Sequence, residues 1–570
     1  MNANDRIIDD LMGRLTLEQK VGQMFTQAFY GTILTPDLRR TVTRLNCGGL
    51  RITQHFRGFR RYARAGEKAE AFERVSPADL TGNLIDDRKD LLCKSPYMDV
   101  EQYARLLADV KAVADDRPYD IPLHMMLDCE ADGGDCVRGG TLHLPYPFGY
   151  ARLGNAQLVY DVCKALGIEL TAIGFNMINS PVVDICFDPT STYIRTRAFG
   201  TTVEHVCAMA SAALRGFTDG GIIACAKHFP GRGATDVDAH HDVGAIDKSA
   251  EALWEEDLAP YRRLIAEGLG AIMVGHSIYP AWDGDNLASV SDAIINGILR
   301  GRLGFEGMVC TDSMIMGAIA KKYGVPRACM LSIRAGASAI LMKECGPIRE
   351  EAIRLTMEAV KAGEITEAHL DALMVKNLRT KLAGGLFGPA YRHDAARAEA
   401  IVHAPELRDV ERRAAEEAVH VVRDEAGLLP LPAAARVLLV EEVPRQYLNA
   451  NDPWMHPGQF WEEILPHSPN VSLVEIEENA TDADVEKVRA YMDFYDLFVV
   501  TYYKNKNVLS SAKVIDMLRG AGKAVVVVSA TPLPCELPSE WPTVVCTYGI
   551  GRAPLRTAAA VLYGAFEPKG

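Results

Sequence analysis

Short apolar runs recur along the first 390 residues, each closing on polar or ionisable residues: Gly48–Thr53, Pro122–Asp128, Phe175–Asp184, Ile222–His228, Ala271–His276, Met308–Asp312 and Ala339–Met342. Between or just after them lie amphipathic segments with helical spacing, such as Val203–Phe217, Ala250–Glu267 and Ile348–Ala362. A strand that is apolar throughout is buried on both faces, and a parallel sheet flanked by helices is the arrangement that buries both. The alternation therefore reads as β/α units. Their number and their polar ends predict an α/β fold of the (β/α)8, TIM-like barrel type, with one strand missing or irregular. Its site is expected at the strands' carboxyl ends.

After Leu386-Phe-Gly-Pro389 the pattern changes to a polar, then Ala-, Arg- and Glu-rich helical stretch reaching about Val422. Beyond it, apolar strands at Arg436–Val440, Val471–Ile476, Asp496–Tyr503, Ala524–Ala530 and Thr543–Tyr548 alternate with helices, which predicts a second, smaller α/β domain. The expected organisation is a barrel over 1–390, a helical linker over 391–422 and an α/β sandwich over 423–570. Within the barrel, Arg57 to Pro96 is a long polar insertion rich in arginine, either a solvated excursion or a lid over the barrel mouth.

Composition narrows the partners. The 570 residues are 48% apolar and 24% charged, as in a globular chain, and carry a formal net charge of −14. Such a surface repels nucleic acid and anionic lipid unless a local basic patch overrides it. No apolar run nears the roughly 20 residues of a membrane span, and Met1–Lys20 lacks the apolar segment of a signal peptide. These features predict a soluble, cytoplasmic protein with neither nucleic acid nor membrane as partner. Thirteen cysteines without a CxxC pairing read as buried thiols rather than disulfides or a zinc site.

The densest chemistry lies in Lys227-His-Phe-Pro-Gly-Arg-Gly-Ala-Thr-Asp-Val-Asp-Ala-His-His-Asp242, directly after an apolar strand. A barrel strand delivers Lys227 and His228 to the mouth, and a glycine-hinged loop then presents Asp236, Asp238, His240, His241 and Asp242. A metal site would also draw ligands from other strand ends, such as an H-x-H on the first, and none appears. Gly231-Arg-Gly233 lacks the Lys-Ser/Thr of a phosphate-binding P-loop. The third reading is a dyad in which Asp238 orients His240 and supports the charge the imidazole takes up.

Asp312, in Met308-Val-Cys-Thr-Asp-Ser-Met-Ile-Met-Gly317, ends a second buried strand ahead of a helix. Alone it would read as a helix N-cap. Its company points elsewhere: Asp128 and His276 end further strands, and Arg197 stands in Tyr193-Ile-Arg-Thr-Arg-Ala-Phe-Gly200. Several strand ends supplying polar groups to one face favour an enzyme over a binding scaffold.

These motifs, in this order, resemble glycoside hydrolase family 3 over nearly the whole chain. The resemblance is carried by Leu15-Thr-Leu-Glu-Gln-Lys-Val-Gly-Gln-Met24, Asp128-Cys-Glu130, Asn179-Ser-Pro-Val-Val-Asp184, Arg197-Ala-Phe-Gly200, Lys227-His-Phe-Pro-Gly231, Leu299-Arg-Gly-Arg-Leu-Gly-Phe-Glu-Gly-Met308 and Thr311-Asp312. The late segment Ala418-Val-His-Val-Val-Arg-Asp-Glu-Ala-Gly-Leu-Leu-Pro-Leu431 is similar to the entry to that family's second domain, a six-stranded α/β sandwich. The resemblance implies that Asp312 is the nucleophile of a retaining mechanism. It also implies that Asp128, Arg197, Lys227 and His228 hold sugar hydroxyls, and His276 and Gln54, at other strand ends, are further candidates for lining the sugar site.

Asp238-Ala-His240 matches the family branch whose acid/base is histidine, a branch of β-N-acetylglucosaminidases and retaining glycoside phosphorylases. A histidine that has given up its proton is neutral, whereas a glutamic acid becomes an anion that repels an incoming phosphate. Three departures from the hexosaminidase pattern stand out: Arg232 where a histidine is usual, Asp135 where an arginine is usual, and Ala239 where a serine is usual. Arg232 is therefore a candidate phosphate-binding residue, against a structural ion pair with Asp236 or Asp242.

The resulting expectation is a retaining β-glycoside phosphorylase acting on terminal β-glucosyl or N-acetylglucosaminyl residues. Phosphate is its co-substrate, and it needs no cofactor or metal. The close alternative is a β-N-acetylhexosaminidase or β-glucosidase with water as acceptor. A Schiff-base aldolase using Lys227 and a non-catalytic sugar-binding protein are rivals that leave Asp312 without a task. The second domain, freed from supplying the acid/base, is a candidate surface for a homodimer.

Overall fold

In the computed structural model the described residues are 3–29, 34–52, 100–130, 137, 141–188, 194–235, 237, 243–343, 346–444, 456–503, 510–531 and 533–569. The chain falls into two compact units. One comprises Met1–Cys129, Cys163–Ile185 and Thr202–His403, and the other Glu130–Val162, Cys186–Thr201 and Ala404–Gly570.

The first unit is an eight-stranded parallel barrel. Its strands are β1 (Phe25–Phe29), β2 (Gly49–Ile52), β3 (His124–Leu127), β4 (Met177–Ile178), β5 (Ile223–Phe229), β6 (Ala271–Val274), β7 (Met308–Thr311) and β8 (Ile340–Met342). They pair in the order β8-β1-β2-β3-β4-β5-β6-β7. A parallel bridge between Cys310 and Ala339 joins the two ends of that order. The strand missing from the apolar pattern is β1. It follows the helix Leu17–Gln23 with a single residue between them, and that helix is opened by a Thr16/Gln19 capping box.

Alternation along each strand sends every second side chain inward. Met126, Met177, Cys225, Met273, Met308, Cys310 and Leu341 pack together as one buried layer of the barrel interior. At the amino-terminal end the buried Lys381 donates to the carbonyls of Gly48 and Pro122, each at 2.8 Å. With the barrel filled below, the next inward positions toward the carboxyl ends are where chemistry can sit. Helices cover the outside by their apolar stripes. In Val203–Asp219 the buried Val206, Met209, Ala210, Ala213, Leu214 and Phe217 recur every three or four residues.

The second unit holds a six-stranded sheet of β9 (His420–Asp424), β10 (Val437–Val443), β11 (Val471–Glu477), β12 (Leu497–Tyr502), β13 (Ala524–Ser529) and β14 (Thr543–Cys546). The order is β9-β14-β13-β12-β10-β11, parallel except for β9 against β14. Runs such as Val525–Val528 suit a sheet buried on both faces, and apolar clusters do cover both. Two earlier stretches belong to this unit. Tyr146 donates its backbone N–H to the carbonyl of Tyr548 at 2.7 Å, and buried Arg195 pairs with Glu536 at 2.6 Å. Among the described residues no helix is long and apolar enough to cross a membrane.

Candidate active site

Three barrel strands bring the core of the site together. Asp128 follows β3, Lys227 lies near the end of β5, and Arg51 comes from β2 at the level of Met126. Lys227 Nζ lies 3.1 Å from Asp128 Oδ1, and the guanidinium of Arg51 takes Oδ2. Both cations are buried, so each interaction operates with little screening by water. A β-bulge between Lys227 and Phe229 interrupts the register with β6 just where these side chains emerge. Arg51 carries no motif signal. It is a charged residue inside an apolar run, and that mismatch is the sign that could have singled it out.

Asp312 continues the inward alternation past Met308 and Cys310 on β7 and is 9% exposed. The following helix, Gly317–Tyr323, has its N-cap at Met316, so Asp312 does not serve as that cap. Its Oδ1 accepts the N–H of Ser313 at 2.6 Å, which fixes the carboxylate's orientation. His276 supports the same turn. Its Nε2 lies 3.1 Å from the carbonyl oxygen of Ser313 and its Nδ1 2.8 Å from Ser289 Oγ. A carbonyl can only accept, so Nε2 carries the proton and Nδ1 accepts from the serine. The imidazole is fully buried, and its place is behind the Asp312–Ser313 turn.

His228 and Arg232 converge on a second carboxylate. Asp184 Oδ2 lies 2.7 Å from His228 Nδ1, and its Oδ1 accepts the backbone N–H of Arg232 at 2.7 Å. Burial alone would push the Asp184 carboxyl up, but the His228 and Arg232 partners hold it below the ordinary carboxylate range. The Arg232 guanidinium is wholly buried and donates to the carbonyl of Val237 at 3.1 Å. It thus braces the loop immediately before Asp238. Gly233 is obligatory in that loop, since a Cβ there would stand 1.5 Å from the carbonyl oxygen of Ile185.

Asn179, two residues past Met177 on the inward side, has a buried amide without a hydrogen-bond partner among the described residues. It opens the motif Asn179-Ser-Pro-Val-Val-Asp184, which by itself gives the asparagine no role. Arg197 forks onto Glu130, with Nη2 at 2.9 Å from Oε1, and both residues belong to the second unit. Gln54, Asp238 and His240, together with Asp135 and the insertion from Arg57 to Pro96, lie outside the described residues. No group of three or more metal-ligating side chains converges among the described residues.

Residues 16–379 match the model of the glycosyl hydrolase family 3 N terminal domain, more than half of the chain. The chain belongs to that family, and it is a glycosidase. Beta-hexosaminidase LpqI of Mycobacterium bovis is 32% identical over 266 residues, covering 45% of this chain and 67% of the relative. A family 3 beta-N-acetylglucosaminidase from Paenibacillus superposes with a TM-score of 0.81 at 26% identity, covering 97% of this chain and 98% of the other. The beta-glucoside phosphorylase BglX shares the fold, with a TM-score of 0.78 at 18% identity over 100% of this chain and 96% of its own.

Proposed function

We infer that this family 3 enzyme removes terminal, non-reducing β-linked glucosyl or N-acetylglucosaminyl residues by double displacement, with inorganic phosphate as the preferred acceptor. In the first step an Asp312 oxygen bonds to the anomeric carbon as the glycosidic bond breaks, and the leaving oxygen takes a proton from His240, oriented by Asp238. In the second, a phosphate oxygen bonds to the anomeric carbon and Asp312 leaves as carboxylate. Two inversions give a sugar 1-phosphate of retained configuration. Asp128, Lys227 and His228 hold the sugar, while His276 and Ser313 keep Asp312 in line.

The observation that supports phosphate is the pair of cations on Asp128. In the glycosyl-enzyme Asp312 is an ester and carries no charge. Arg51 and Lys227, two buried cations, converge on the one carboxylate of Asp128 and concentrate positive charge there. That local excess, in a chain of net charge −14, favours an anion over water. Water is the second reading, favoured by the relatives that are beta-hexosaminidases.

Initial rates on aryl β-glucoside and aryl β-N-acetylglucosaminide, each with and without phosphate, separate the two. Faster turnover with phosphate and a sugar 1-phosphate among the products are expected. Equal rates and free sugar as the only product would assign water as the acceptor.

A further inference from the structure

The sandwich sheet carries a second crevice, remote in sequence from the barrel motifs. Its first parallel strand, β10, has β11 on one side and β12 on the other, so the connections diverge between β10 and β12. In open α/β sheets the carboxyl ends at such a switch point form a natural binding crevice. Here that position is a cavity of about 20 Å3, room for one water-sized group, lined by Glu441, Glu442, Thr501, Phe460, Val528 and Leu555.

Two carboxyl groups enter it with oxygens that no donor reaches. Glu441 Oε1 accepts the N–H of Phe460 at 3.3 Å, and Glu442 Oε2 accepts the N–H of Tyr503 at 2.8 Å and the hydroxyl of Ser510. Glu441 Oε2 and Glu442 Oε1 are buried without a partner, and each residue is 2% exposed. Among the described residues, the charged and titratable groups facing them are acidic or phenolic: Glu475 and Glu462 around Glu441, Glu478 and Tyr502 around Glu442. Burial pushes the Glu441 carboxyl up to about 8 and that of Glu442 well above its ordinary value. A buried carboxyl oxygen without a donor is costly, and the group that relieves Glu441 Oε2 and Glu442 Oε1 must donate hydrogen bonds to both.

We propose that this crevice binds an ammonium group, free or carried by a one-carbon amine. An ammonium is the size of the cavity, has at least three N–H donors and cancels one carboxylate charge. A hydroxyl or a water would donate but would leave the charged form of either carboxyl as unfavourable as before. A metal ion is the poorer occupant, because among the described residues no three ligating side chains converge. Burial disfavours the charged form of both carboxyls, so an ammonium that stabilises that form draws a proton off as it binds.

Calorimetry and thermal melting of the full chain with methylamine and with ammonium chloride test this, with tetramethylammonium and sodium chloride as controls. Methylamine and ammonium should each raise the melting transition at pH 8, and tetramethylammonium, which has no N–H, should not. Titrations in buffers of different ionisation enthalpy should show one proton released per cation bound. The apparent association constant should then rise about tenfold per pH unit as pH climbs toward 8. E441Q/E442Q should abolish the response. A530L, which fills the crevice wall without touching either carboxyl, should do the same, so a folding defect in one variant cannot mimic the result. No shift with either methylamine or ammonium beyond that of sodium chloride, an equal shift with tetramethylammonium, or an undiminished shift in both variants would overturn the assignment.

Discussion

Lys227 Nζ lies 3.1 Å from Asp128 Oδ1, on the carboxylate whose other oxygen is held by Arg51. Removing one cation tests what the pair does. In Arg51→Met one of the two buried cations on Asp128 disappears while Lys227 still orients that carboxylate. The expected result is a loss of about tenfold in kcat/KM for phosphate, about 1.4 kcal/mol of transition-state stabilisation. The phosphate-independent rate on an aryl glycoside should fall less. Equal losses in the two rates would make Arg51 a structural prop of Asp128 alone.

Asp312 yields a prediction about covalent chemistry. With a 2-deoxy-2-fluoro glycoside carrying a good leaving group, the first displacement should outpace the second, and intact mass measurement should show one sugar added per chain. The adduct should map to the peptide containing Asp312. Asp312→Ala should show no adduct and lose about 10³-fold or more in kcat, as expected when a nucleophile that acts in concert with its neighbours is deleted. An adduct elsewhere would relocate the nucleophile.

What the sequence shows of this fold follows from how each element announces itself. Strands β2 to β8 are apolar runs bounded by polar residues and are legible as such. Strand β1 is equally buried, but only Met24 separates it from the preceding helix, so no turn marks where the helical period ends. Asp312, Lys227 and His228 are legible because they close strands inside recognisable motifs. Arg51 is not, since a strand-period pattern treats a lone arginine in an apolar run as an interruption. Nor is the restraint on Arg232: its neighbours Asp184 and Val237 come together only when β4 and β5 stand side by side. The association of 130–162 and 186–201 with the sandwich unit is likewise three-dimensional, resting on contacts such as Tyr146 with Tyr548.

The pairing of Asp184 with His228 and the Arg232 backbone predicts a pH-dependent stability. The Asp184 carboxyl is held below its ordinary value of 3.8, so the folded state binds this proton less readily than the unfolded chain. Its contribution is complete above that value and is lost as pH falls through the lower, folded one. Asp184→Asn should cost about 3 kcal/mol at pH 7, because it strips a buried ionic partner from His228. The gap between wild type and variant, measured by urea unfolding, should narrow below about pH 4, the range in which an ordinary aspartate takes up its proton. A gap independent of pH would show that the variant acts through packing rather than charge.

Gly233 provides a test of the loop that precedes Asp238 and His240. A methyl group at this position would overlap the carbonyl oxygen of Ile185, at 1.5 Å, and neither backbone can yield without moving its segment. In Gly233→Ala the loop must shift, and with it the residues proposed to protonate the leaving group. A misplacement on the order of 1 Å can cost about 10²-fold in rate. The loss should depend on the substrate: a nitrophenolate departs with little protonation, whereas an alkyl aglycone needs the proton. Gly233→Ala should therefore reduce kcat/KM on an alkyl or disaccharide β-glycoside far more than on a nitrophenyl β-glycoside. If both substrates lose the same factor, the loop positions the sugar or Asp312 instead of the proton donor, and the role assigned to His240 fails with it.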